Sequence, residues 1–100
     1  MSAAKSVLSS YSEATKHCKQ IKAEADKVSN EFNSMFNLEC PVRIEVEVAE
    51  FELGYGVISC IYFGDAKLRE YDIAELAILD LNRMMINKLR HTLGESLNNV

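Results

Sequence analysis

The feature that most constrains this chain is the heptad run in its first 35 residues. Val7, Tyr11, Ala14, Cys18, Ile21, Ala25, Val28, Phe32 and Met35 recur at alternating intervals of 4 and 3, which holds them on one face of an α-helix. No Pro or Gly interrupts the run. The spacing predicts a helix from about Ser6 to Phe36, closed before Pro41, whose ring drives Cys40 into extended backbone. Ser10 and Glu13 would form a capping box if the helix began a turn later. A helix of that span is roughly 45 Å long at 1.5 Å per residue, whereas a 100-residue globule has a radius of gyration of about 13 Å. It must overhang its own domain. Tyr11, Ala14, Cys18, Ile21, Ala25, Val28 and Phe32 are therefore a candidate dimer seam, and the small side chains of Ala14, Cys18 and Ala25 would let a neighbouring helix come close.

After Pro41 the period changes from helical to two. Val42, Ile44, Val46 and Val48 alternate with Arg43, Glu45 and Glu47, the signature of a half-buried strand. The phase slips beyond Val48, where Ala49, Phe51 and Leu53 become the apolar positions, and this predicts a bulge or bend near Val48 to Ala49. Leu53-Gly54-Tyr55-Gly56 supplies turn chemistry. Val57 to Phe63 then reads as a second strand, apolar on nearly every residue and so expected to be covered on both faces. Gly64-Asp65 ends it, and Lys67 to Tyr71 leaves room for a short third strand.

A second helix is expected from Asp72, an N-cap with Glu75 three residues on, to Leu93, with Gly94 as its stop. Ile73, Leu76, Ile78, Leu79, Leu81, Met84, Met85, Ile86, Leu89 and Leu93 are more apolar residues than one helix face can hold. The surplus predicts packing on a second side, against the first helix or a second chain. The fold expected is α+β, a two-layer α-β-β-α arrangement of long N-terminal helix, β-hairpin and long C-terminal helix, in a single domain over residues 1–100 with 1–5 and 95–100 frayed. A lone hairpin is marginal in water. Pairing two chains would give a four-stranded sheet and cover both helical surpluses, so an intertwined homodimer is the economical assembly.

Charge is unevenly placed. Residues 37–71 carry three basic groups against seven acids, while residues 1–36 carry five against four. A net charge of −4 disfavours long-range attraction to phosphate or anionic lipid. There is no run of about 18 apolar residues and no secretory pattern at the start, so a cytoplasmic protein without membrane association is expected. Cys18, Cys40 and Cys60, an odd number without CxxC spacing, suit reduced thiols better than a disulfide scaffold.

Glu45, Glu47, Glu50 and Glu52 are foremost a solvated strand face whose like charges discourage aggregation. They are also a candidate docking surface for a basic partner. They make a poor metal site, because hard cations need oxygens converging from several elements and one strand spaces its same-face carboxylates about 7 Å apart. Met84 and Met85 are first of all core residues, and second an adaptable partner pocket. His17 and His91 have no Cys, Asp or Glu at ligand spacing, and Gly54-Tyr55-Gly56 lacks the Lys and following helix of a phosphate loop. Lys16, Lys19 and Lys22 form one basic stripe, and Arg83 with Arg90 another; each suits a solvated helix face, with nucleic-acid contact as the alternative.

No cofactor is implied and no catalytic set is visible. The expectation is a small non-enzymatic protein-interaction module of bacterial or phage type, an adaptor, chaperone-like protein or inhibitor of a larger machine, acting on a protein partner through a dimeric surface. The alternative is a nucleic-acid-associated dimer. In outline, a long helix, a short sheet and a second helix that dimerise, the chain resembles the small nucleoid-associated YbaB family.

Overall fold

The computed structural model describes residues 3–36 and 38–98, with side chains over 10–36 and 38–94. Chain order is α1 (Ala3–Met35), β1 (Val42–Phe51), β2 (Gly54–Phe63), β3 (Ala66–Tyr71) and α2 (Glu75–Asn98), an α+β fold. The third strand is present, and the sheet runs β1-β2-β3 with both pairings antiparallel. Of the ends expected to fray, residues 1, 2, 99 and 100 lie outside the described residues, as do the side chains of Val7 and Glu95.

The β1–β2 register is unbroken from Val42 opposite Phe63 to Phe51 opposite Gly54. The expected bulge at Val48 to Ala49 is therefore absent, and the irregularity falls instead between Ile61 and Tyr62, opposite β3. The phase slip in the sequence has another cause. Phe51 stays on the same face as Glu45 and Glu47, and its ring lies over Gly56, where a Cβ would stand 2.9 Å from a ring carbon. An aromatic laid over a glycine on the neighbouring strand shields backbone that has no side chain of its own.

Both helices lie on one face of the sheet. Val42, Ile44 and Val46 of β1 and Val57 and Ile61 of β2 join Ala14, Ile21, Ala25 and Phe32 of α1 and Ala77, Ile78, Leu81 and Met85 of α2 in a single buried core. Two polar contacts pin α1 at either end of the hairpin. Near its start the Ser10 hydroxyl oxygen accepts from Tyr55 N at 3.0 Å, so Ser10 lies inside α1, which begins at Ala3, and holds a strand rather than capping a helix. Near its end the Asn33 amide brackets Val42, donating to its carbonyl and accepting from its N–H, both at 2.8 Å.

α2 runs beside α1 in the same direction, with His17 Nε2 3.1 Å from Glu75 at one end and Lys88 Nζ 4.6 Å from the Phe36 ring centre at the other. It starts at Glu75 rather than Asp72 because the preceding segment is held by the sheet. Ala74 N donates to Val57 O at 3.1 Å, and the Ser59 hydroxyl donates to Ala74 O at 3.0 Å. Nor does Gly94 stop it, since α2 continues to Asn98. A glycine inside a helix costs about 1 kcal/mol but ends it only where the chain turns to positive φ, and Gly94 does not. The whole is elongated, 69 × 23 × 20 Å with a radius of gyration of 17.4 Å.

Candidate interaction surfaces

The apolar surplus of α2 resolves into two opposite faces. Leu81, at the centre of the inner face, is fully buried with Ala77, Ile78 and Met85 around it. About half a turn away at 100° per residue, Leu76, Leu79, Ile86 and Leu93 form an outer stripe and are 43%, 57%, 49% and 63% exposed. Arg83 and Arg90 complete that stripe at the same heptad spacing, so they are interleaved with leucines rather than gathered in a basic row. Large apolar side chains exposed in a row along one helix face, even with arginines between them, are the mark of an interaction surface.

The sheet has a second uncovered surface. Residues opposite one another in an antiparallel pair share a face, so the face away from the helices carries Arg43, Glu45, Glu47, Ala49 and Phe51 from β1 and Ile58, Cys60 and Tyr62 from β2. Lys67 and Glu70 of β3 flank it. Arg43 bonds Glu45 and stacks over the Tyr62 ring at 4.3 Å, and Lys67 pairs with Glu70 at 2.5 Å. The Lys67 partnership holds the Glu70 carboxyl below its usual range, and burial pushes the Cys60 thiol up. The strand that reads as apolar on both faces is thus covered on one face by its own chain.

The four glutamates separate. Glu45 and Glu47 share the open face, Glu50 points to the helix side of the sheet at the hairpin end, and Glu52 sits in the turn. The methionines separate too. Met85 is buried in the core, while Met84 is half-buried beside a hollow of about 300 Å³ lined also by Leu68, Arg69, Tyr71 and Asp80. Of the seam residues of α1, Ala14, Ile21, Ala25 and Phe32 are buried in this chain's own core, Cys18 and Val28 pack partly against it, and Tyr11 is half exposed against Tyr55. The seam is occupied by the chain's own sheet. Lys16, Lys19 and Lys22 are exposed, and Lys22 alone of the three borders the hollow beside Ile44 to Glu47 on β1.

A polar cluster that periodicity did not bring forward ties β3 to α2. Asp80 accepts from the Tyr71 hydroxyl and from Arg69 Nη1 at 3.0 Å, with Arg83 Nη1 3.5 Å from its other oxygen. The Tyr71 bond, aided by both guanidinium groups, holds the Asp80 carboxyl below its ordinary range. Burial, then the bond to Asp80, pushes the Tyr71 phenol up to about 12. The signal in the sequence was a lone acid amid the apolar residues of a helix, three positions before an Arg.

Among the described residues, no helix is long and apolar enough to cross a membrane. No family model matches the chain, and neither a curated protein nor a solved structure does.

Proposed function

We propose that this protein is a small non-enzymatic interaction module, an adaptor, chaperone-like protein or inhibitor that works as a homodimer on a protein partner. The observation that carries the reading is the outer stripe of α2, large apolar side chains exposed directly opposite the face that builds the core. The open sheet face supports it further, with Phe51, Ile58 and Tyr62 set among Arg43, Glu45 and Glu47. Such a mixture of apolar centre and charged rim is the composition of a protein-binding surface. Its acidic side suits a basic partner.

The alternative, a nucleic-acid-associated dimer using Lys16, Lys19, Lys22, Arg83 and Arg90, has less behind it. Arg83 is already engaged by Asp80, and both arginines stand among leucines. The test compares proteins retained from the native host by the native chain and by a Phe51→Ser, Tyr62→Ser variant, alongside a salt titration of DNA binding. A partner retained only by the native chain supports the module. DNA affinity falling steeply with salt, with no protein retained selectively, would replace it by the alternative.

A further inference from the structure

We infer that the outer stripe of α2 is covered by the same stripe of a second copy, the two helices packing antiparallel about a two-fold axis between Met84 and Met85. This rests on the interaction-module reading and names the occupant of its apolar face. Leu76, Leu79, Arg83, Ile86, Arg90 and Leu93 are spaced 3, 4, 3, 4 and 3, the seam of a two-stranded coil. Charge decides which way the second helix runs. The first two turns of α2, Glu75 to Asn82, carry Glu75 and Asp80, whereas Arg83 to Leu93 carries Arg83, Lys88 and Arg90, with Glu95 following in the last turn.

A parallel pair would set Arg83 against Arg83 and Arg90 against Arg90, like charges brought together at seam positions. The antiparallel pair moves the two Arg90 residues far apart and sets each Arg83 against Ile86 instead of against its counterpart, with Asp80 of its own chain beside it. Leu76 then faces Leu93 of the second copy, Arg83 faces Ile86, and Arg90 faces Leu79, one turn from Glu75 of that copy. Glu75 is half exposed where it meets His17, so its carboxylate is accessible to an approaching guanidinium. Helix dipoles favour the same orientation, since each positive end lies beside a negative one. The stretch of α2 beyond Lys88 extends past the Phe36 contact at the end of α1, and in this arrangement it lies along the first turns of the other copy's α2.

Sedimentation velocity of the full-length chain at micromolar concentration tests the inference, with circular dichroism to confirm folding. The native chain is expected to sediment at twice 11.3 kDa. Ile86→Asp, an exposed site, is expected to give a folded monomer. Arg90→Glu should weaken the dimer on the order of tenfold, as loss of a close interfacial charge pair does, and adding Glu75→Arg in the same chain should restore it. A native monomer, an Ile86→Asp dimer as tight as native, or a double variant weaker than Arg90→Glu alone would each overturn the inference. A monomer that still retains its partner removes this pairing and the homodimer but leaves the protein-binding module, whereas a dimer that retains none removes only the module reading.

Discussion

Asn33 shows how much one polar side chain can hold. Its amide closes both hydrogen bonds to Val42 just where the chain leaves α1 and enters the sheet, and the Val42 side chain is fully buried beneath it. Asn33→Ala removes both partners and leaves a main-chain donor and acceptor at the edge of the core. The expected cost is about 2 kcal/mol, read as a lower urea midpoint with an unchanged slope. Ser29, one turn earlier on α1, is the opposite case. Its hydroxyl is buried and, among the described residues, has no hydrogen-bond partner. Ser29→Ala therefore takes away a desolvated group that gives nothing back, and should leave stability unchanged or raise it by about 1 kcal/mol. A midpoint lowered by Ser29→Ala would show that this hydroxyl is satisfied in solution.

At the scale of elements, the Tyr71–Asp80 bond is the main polar tie between β3 and α2, and it makes stability depend on pH at both ends. Asp80 titrates lower when folded than unfolded, so its contribution is present above the ordinary carboxylate range and is lost as pH falls below about 4. Tyr71 titrates higher when folded, at about 12. Its contribution is present below about pH 10 and is lost as pH rises from there through the folded value. Tyr71→Phe should thus cost about 1 kcal/mol at pH 7, with the gap to native closing as the pH passes 11 in urea titrations. A constant gap across that range would mean that the phenol is not ionising against Asp80. The elements themselves were legible in the sequence because periodicity reports burial. The heptad run gave α1, and strict alternation from Val42 gave β1 its buried face. What stayed hidden was set by tertiary partners. Nothing local to Asp72 shows that the sheet would take up Ala74 and delay α2, nor does the pattern at Phe51 show that its ring would lie over Gly56 instead of marking a bulge. The α1 stripe is a buried face, as its spacing predicts, yet whether such a face meets its own sheet or a second chain is not written in that spacing.

For the whole molecule, the two uncovered surfaces lie on opposite sides. The outer stripe of α2 points away from the sheet, and the open sheet face points away from both helices. Dimerisation through α2 would stack sheet, helices, helices and sheet, leaving both acidic sheet faces outward and free to engage partners. Neutralising Glu45 and Glu47 together by Gln tests this division of labour. Glu45 is an exposed partner of Arg43, and that guanidinium keeps its place over Tyr62 by stacking. Exposed ion pairs contribute little, and surface substitutions of this kind usually stay within about 0.5 kcal/mol, so urea midpoint and sedimenting mass should match native. Partner association should respond instead. Charges on the rim of an interface act mainly on encounter, so the association rate is expected to fall, and its salt dependence to flatten, while dissociation changes little. If the double variant instead falls apart into folded monomers, the copies meet through the sheet face, and the leucine stripe of α2 is the surface left for the partner.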